Sequence, residues 1–244
     1  MKPKKIRLDQ LLTEQGLAPT RTKAQSMILA GLVSVDGVVI SKSGTLVHPT
    51  SEISLQETLR YVSRGGLKLE GALKDFKIDV NGLEILDVGA STGGFTDCLL
   101  QSGASHVYAI DVGKGQLDTS LRSHPQVTFY ESFHVRKLSP ETFQKTFSLI
   151  VMDVSFISLK KVLPTVIQCL DPGGKMLALI KPQFETQAKH LDKGVLKDSA
   201  IREAILREMA HFATNDLGLQ EIQLSDSVIK GPKGNQETFL YGHI

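Results

Sequence analysis

The segment Leu83–Gln101 restricts the fold more than any other part of the chain. Leu83-Glu-Ile-Leu-Asp-Val88 is short, mostly apolar and flanked by turn residues, which predicts a buried β-strand. The chain then passes through Gly89-Ala-Ser-Thr-Gly-Gly94 straight into a helical pattern over Gly94–Gln101. Gly89 permits a tight backbone turn, while Gly93 and Gly94 let a ligand approach the helix N-terminus. No Gly-Lys-Ser/Thr follows, so the turn is not a P-loop. The glycines are spaced Gly89-x-x-x-Gly93-Gly94, which is not the Gly-x-Gly-x-x-Gly of dinucleotide-binding folds.

The same alternation runs on through the chain. Strands are expected at His106–Asp111, Val127–Tyr130, Phe147–Asp153 and Lys175–Ile180, and near Leu219–Leu224 and Thr238–Tyr241. Helices are expected at Leu67–Lys77, Gln116–Arg122, Ser158–Cys169 and Ala200–Asn215. Strands alternating with helices predict an α/β, Rossmann-like domain: a mostly parallel seven-stranded sheet with helices on both faces.

A small α+β module precedes it. Leu8, Leu11 and Leu12 share one helical face over residues 7–16. Thr20 can cap a second helix that buries Ala24, Met27 and Ile28 and ends at Gly31. In Val33–Ile40, Asp36-Gly37 lies between apolar runs and predicts a two-residue hairpin turn. The stretch Thr58–Arg64 is the expected connection: a domain over 1–60, a linker at 61–64 and a second domain over 65–244.

Charge separates the halves. Residues 1–64 carry nine Lys/Arg and five Asp/Glu, a net of +4, while the whole chain is +2, so the remainder is −2. A basic module ahead of a mildly acidic one suits the tethering of a polyanion. No apolar run is long enough to span a bilayer and the basic start leads into no signal core, which makes the cytoplasm the expected location. Cys98 and Cys169 sit in apolar patterns without metal-ligand spacing and are expected as buried thiols, with no metal site.

Ligands of open α/β sheets bind outside the carboxyl ends of the strands. Asp153 and Lys181 fall at two such ends, and Asp111 ends the strand after the Gly-rich turn, where a carboxylate can take the ribose hydroxyls of a nucleoside cofactor. Lys68 precedes the first strand and Glu237 precedes the last. Each alone would pass as a solvated charge; in chain order they spell Lys-Asp-Lys-Glu.

That set, with the Gly89–Gly94 turn preceded by Asp87, resembles S-adenosylmethionine-dependent ribose 2′-O-methyltransferases of the FtsJ/RrmJ type. The N-terminal stretches Arg7-Leu-Asp, Arg21-Thr-Lys-Ala-Gln, Ala30-Gly-Leu-Val and Val35-Asp-Gly resemble the RNA-binding domain named after ribosomal protein S4. The two joined through Tyr61-Val-Ser-Arg-Gly-Gly-Leu-Lys-Leu69 resemble the TlyA family, often labelled haemolysin, and the likeness covers essentially the whole chain. The resemblance implies methyl transfer from S-adenosylmethionine to a cytidine ribose 2′-OH of ribosomal RNA. The short C-terminal end resembles the family type associated with the large subunit. It implies Lys68, Asp153, Lys181 and Glu237 as catalytic residues. Asp87, Gly89, Ala90, Ser91, Gly93, Gly94, Phe95, Asp111, Val112 and Asp153 would hold the cofactor, and Arg7, Arg21, Lys23, Lys42 and Arg64 the RNA. One departure stands out: Glu131-Ser-Phe-His134-Val-Arg136 carries His134 where the family has Asn.

A ribose hydroxyl is a poor nucleophile until its proton leaves, and methyl transfer from a sulfonium is an in-line displacement. Lys181 is assigned the proton-accepting or hydroxyl-polarising role. An ordinary Lys is protonated near neutrality, so serving as a base requires desolvation or a nearby cation such as Lys68. Three rival readings are a non-catalytic rRNA-binding assembly factor, a membrane-lysing haemolysin and a nicotinamide-dependent reductase. The complete Lys-Asp-Lys-Glu set, the missing spanning segment and the glycine spacing weigh against them in turn.

Overall fold

The computed structural model describes residues 5–29, 31–55 and 60–244. The chain divides into two units, 1–64 and 65–244. Ala30 and the first residues of the expected connection, Thr58 and Leu59, lie outside the described residues.

In the first unit β1 (Ile6–Arg7) leads into α1 (Leu8–Glu14), and α2 (Arg21–Leu29) follows. Thr20 caps α2 as expected, its Oγ1 accepting from Lys23 N at 3.1 Å. β2 (Val33–Val35) and β3 (Val38–Val39) form the expected hairpin, with Asp36 at φ 51° and Gly37 at φ 78° in the turn. The structure adds two pieces too short to show a period. β4 (Leu46–Val47) pairs with β1, and β5 (Ile53–Leu55) joins β2 to make a three-stranded sheet. Leu8, Leu11, Leu12, Ala24, Ile28 and Val33 form the core of the unit.

The second unit begins with α3 (Gly65–Asp75), then β6 (Glu84–Val88), α4 (Gly94–Gln101) and β7 (His106–Ile110). Next come α5 (Thr119–Arg122), β8 (Val127–Tyr130), α6 (Pro140–Phe143), β9 (Phe147–Met152) and α7 (Leu163–Val166). The last elements are β10 (Leu170–Ile180), α8 (Pro182–Glu185), α9 (Ser199–Asn215), β11 (Gln220–Asp226) and β12 (Thr238–His243). The seven strands lie in the order β11-β12-β10-β9-β6-β7-β8. Every pairing from β10 to β8 is parallel, and β12 runs antiparallel to both its neighbours.

Period-two alternation sends side chains to both faces. Leu86, Ile150, Met152, Met176, Ala178 and Leu240 join Ile205 and Met209 of α9 and Val166 of α7 in one cluster. Their strand neighbours point the other way: Phe239 stacks on Phe95 of α4, and Tyr241 on Phe76 just beyond α3. Helices therefore cover both faces, as the alternation predicts. Each fully buried Leu or Ile contributes about 1.5–3 kcal/mol.

Three expected elements differ. Pro164 lacks an N–H, so the helix expected over Ser158–Cys169 restarts there, and α7 is flanked by 3₁₀ turns at Leu159–Lys161 and Ile167–Cys169. The helix expected over Gln116–Arg122 shortens to α5 because Asp118 caps it, its side chain accepting from Ser120 N at 2.9 Å. β10 starts five residues early, with an irregularity in its pairing between Leu170 and Lys175.

Candidate active site

The carboxyl edge of the parallel strands collects the expected residues of the second unit. Asp153 follows β9, Lys181 follows β10, and Glu237 immediately precedes β12, whose reversed direction brings its first residue to the same edge. Asp87 lies within β6 beside the Gly-rich turn, and Asp111 follows β7.

Two ion pairs organise the four Lys-Asp-Lys-Glu residues. Lys181 Nζ lies 2.5 Å from Asp153 Oδ1, an ion pair rather than an aligned hydrogen bond, and donates to Ser155 Oγ at 2.7 Å. Lys68 Nζ on α3 donates to Glu237 Oε2 at 2.5 Å, both side chains buried. The loop before β12 folds closely over that carboxylate: a Cβ on Gly231 would stand 2.5 Å from Glu237 Oε1.

The Gly-rich turn is built against Asp153. Gly89 has φ 89°, and a Cβ there would fall 2.6 Å from the Asp153 carbonyl oxygen, so no other residue fits without displacement. Ser91 is left-handed at φ 49°, and its N–H donates to Asp111 Oδ2 at 2.8 Å. Gly113 N–H donates to the other oxygen, Oδ1, at 2.6 Å, so Asp111 is held from both sides. Ala90 is buried, and Gly93 caps α4 at φ 95° with Gly94 as its first residue. Val112 is 70% exposed at the rim, whereas the Phe95 ring is buried against Phe239 and faces the core.

Asp87 is fully buried; Thr96 Oγ1 donates to its Oδ2 at 2.6 Å, and Oδ1 has no hydrogen-bond partner among the described residues. Burial pushes its carboxyl up to about 7, with the negative charges of Asp153 and Asp111 adding to the rise.

His134 accepts from Arg136 N at 3.3 Å and caps the 3₁₀ turn Val135–Lys137. An Asn can cap the same turn, so the substitution keeps the local backbone role. Glu131 of the same stretch pairs with Arg122 and accepts from Gly115 N, fastening the loop beyond β7.

In the first unit Arg7 and Arg21 do not stand as independent cations. Both pair with the buried Asp9, which also accepts from Gln25 Nε2 at 2.8 Å. The Arg7 hydrogen bond is the main cause holding the Asp9 carboxyl far below the usual range. Lys23 and Lys42 are exposed, and Arg64 is half-buried. Both cysteines are free and buried. Among the described residues there is no helix long and apolar enough to cross a membrane, and no cluster of metal-ligating side chains.

Sequence reasoning did not mark Thr96, Ser155 or Asp9. Thr96 lies one turn into α4, facing the strand that carries Asp87, a proximity the Gly-rich turn could have signalled. Ser155 sits in irregular chain beyond β9 and carries no pattern of its own.

A mostly parallel seven-stranded sheet with a Gly-rich first turn and an acid after the second of its parallel strands defines the Rossmann-like methyltransferase class. The model of FtsJ-like methyltransferases matches residues 61–243, and that of the S4 domain matches residues 6–53. The chain belongs to the FtsJ-like methyltransferase family, within its TlyA/haemolysin A group. It is 41% identical over 241 residues to the Mycobacterium tuberculosis 16S/23S rRNA (cytidine-2′-O)-methyltransferase TlyA, covering 98% of this chain and 90% of the relative. It is 42% identical over 234 residues to Hemolysin A of Brachyspira hyodysenteriae, covering 95% and 97%. A solved structure of a haemolysin-named protein from Streptococcus thermophilus superposes with a TM-score of 0.77 at 41% identity, covering 98% of this chain and 88% of that one.

Proposed function

We propose that this chain transfers the methyl group of S-adenosylmethionine to the ribose 2′-hydroxyl of a cytidine in ribosomal RNA, with large-subunit RNA, alone or together with small-subunit RNA, as substrate and the cytoplasm as its place of action. The observation that carries this reading is the pairing of Lys181 with Asp153 beside the Gly89 turn, on the edge that also holds the Lys68–Glu237 pair. The relatives' printed activity supports the choice of cytidine and ribose.

The residues at the Gly-rich turn fit S-adenosylmethionine. The buried Asp87 keeps an unsatisfied oxygen, Gly89 brings bare backbone against the rim, and Asp111 presents a carboxylate fixed by two backbone N–H groups. Asp87, Gly89, Ala90, Ser91, Gly93, Gly94, Asp111 and Val112 would hold the cofactor, with Phe95 contributing backbone while its ring packs the core. When bound, the cofactor supplies an electrophilic methyl group on a cationic sulfur.

The protein's own part is alignment and help with one proton. An ammonium has three N–H donors. Ser155 takes one from Lys181 and Asp153 lies against the nitrogen, which leaves the remaining position for the 2′-hydroxyl, whose proton passes to the nitrogen in its neutral form or, with the ammonium polarising the hydroxyl, to water. Asp153 offsets positive charge at that nitrogen. Lys68 and Glu237 compensate each other and flank the same hydroxyl. In the first domain Lys23, Lys42 and Arg64 meet RNA phosphates, with Arg7 and Arg21 as a pair set by Asp9.

The test is tritiated methyl transfer to separated ribosomal subunits and to stripped rRNA, followed by nucleoside mapping. The expected product is a 2′-O-methylcytidine. Methyl on a base, or no transfer to any ribosomal RNA, would overturn the proposal.

A further inference from the structure

The Lys181 ammonium is nearly enclosed. Its side chain is 10% exposed, and among the described residues its polar partners are Asp153 Oδ1 and Ser155 Oγ. The two partners differ in their access to water. Asp153 Oδ1 is itself buried, whereas Ser155 is an exposed residue. Ser155 therefore joins a shielded nitrogen to the solvent across one hydrogen bond of 2.7 Å.

The contact belongs to a ladder between two segments. Ser155 lies in the stretch beyond β9, and Lys181 directly precedes α8. Further along the same stretches the Phe156 ring meets Phe184, centroids 5.1 Å apart. Ser158 Oγ and Leu159 N then donate to the Glu185 carboxylate at 2.5 and 2.7 Å. These rungs hold the Ser155 segment in register with the Lys181 segment. Phe156 is left-handed at φ 63°, a costly conformation for an aromatic residue, and it turns the chain immediately after Ser155.

For Nζ to take up the proton of a 2′-hydroxyl it must first be a neutral amine, and an ordinary Lys is protonated near neutrality. A proton must therefore leave Lys181 in every catalytic cycle. A hydroxyl can accept one hydrogen bond while donating another. Ser155 Oγ accepts from Nζ, so its own O–H can donate outward to water. When the Nζ proton passes to Oγ as the Oγ proton passes to water, the amine is left neutral and the serine unchanged. Discharge onto Asp153 would instead cancel the carboxylate that offsets the ammonium.

We infer that Ser155 carries the proton between Lys181 and water, acting on methyl transfer through that lysine. The 2′-oxygen bonds the methyl carbon as the carbon–sulfur bond breaks, its electron pair staying on sulfur. The hydroxyl proton goes to Nζ and leaves by way of Ser155, one proton reaching solvent per methyl transferred. This inference rests on the proposed function, with Lys181 as the proton acceptor, and adds the route by which that lysine is reset.

The experiment uses the full chain and the ribosomal RNA substrate that the wild-type protein methylates. Transfer rates are measured for wild type, Ser155→Ala and Ser155→Thr over a series of imidazole concentrations at constant pH and ionic strength. Ser155→Ala should lower the maximal rate by roughly 10-fold or more, with the affinities for S-adenosylmethionine and RNA within about threefold of wild type. Ser155→Thr retains the hydroxyl and should recover most of the loss. Imidazole, a small base able to take the proton in place of the serine, should raise the Ser155→Ala rate and leave wild type unchanged. A Ser155→Ala rate within about threefold of wild type overturns the inference. So does a slow Ser155→Ala that imidazole fails to raise, since a serine that only orients Lys181 would give that result. Both outcomes leave the proposed function standing, whereas absence of ribose methylation by wild type would bring down both.

Discussion

Lys68 and Glu237, 169 positions apart in the chain, meet at 2.5 Å with both side chains buried. A buried ion pair is marginal as a source of stability, but breaking one strands a charge. Glu237→Ala should therefore cost about 3–5 kcal/mol of unfolding free energy, read by urea denaturation, while the double replacement Lys68→Met/Glu237→Leu should recover most of it. A loss under about 1 kcal/mol in the single variant would mean that water reaches Lys68 freely.

Lys181→Ala should lower single-turnover methyl transfer by roughly 10²–10⁴-fold while leaving S-adenosylmethionine affinity within about threefold of wild type. The proposed cofactor residues lie within β6 or just beyond β6 and β7, whereas Lys181 follows β10. Near-normal transfer by this variant would remove Lys181 from the chemistry.

Gly89→Ala meets two obstacles: a positive φ and the Asp153 carbonyl 2.6 Å from the added carbon. The strain should cost about 1–3 kcal/mol and weaken cofactor binding, because Asp153 and the turn can no longer sit together. Isothermal titration with S-adenosylmethionine checks the second effect and thermal unfolding the first.

Asp87 provides a signature in pH. Its folded carboxyl titrates near 7, above its ordinary value of 3.8, so the native state holds a proton that the unfolded chain has released. Its stabilising contribution is complete below pH ~4 and declines as pH rises towards 7. Asp87→Asn abolishes that titration. The difference in unfolding free energy, Asn variant minus wild type, should grow in the variant's favour from pH 4 to 7 and level off above. A flat difference would mean that Asp87 titrates normally.

In the first domain, Lys23→Gln or Lys42→Gln should each lower the salt slope of RNA binding by about one unit or less without affecting the fold. Arg7→Gln and Arg21→Gln should lower it too, but with a loss of stability, because each removes a partner of the buried Asp9. Filter binding over a salt series, alongside denaturation, separates the two behaviours.

What the sequence revealed follows from the range of each signal. The strand–turn–helix at Leu83–Gln101 was legible because strand, glycines and helix are adjacent and each is local chemistry. The rim positions of Asp153 and Lys181 were legible because strand ends are. Which partner each charge takes was not: Lys68 finds Glu237 only through the antiparallel insertion of β12 beside β10, a pairing no periodicity announces. The role of Asp9 was hidden for a related reason. On the first turn of α1 it carries no signal of burial in the sequence, yet it is the buried hub on which two arginines of the expected RNA surface turn. The helix expected at Ser158–Cys169 failed on a single residue, Pro164, whose missing N–H outweighed an apolar pattern that was otherwise helical.

The antiparallel placement of β12 also has a bearing on biosynthesis. Glu237 comes immediately before the last strand of the chain, so during translation the Gly-rich turn, Asp153 and Lys181 all leave the exit tunnel before the counterion of Lys68 does. A nascent chain stalled short of that strand would carry the Gly-rich turn, Asp153 and Lys181 already made, with Lys68 still lacking its carboxylate partner.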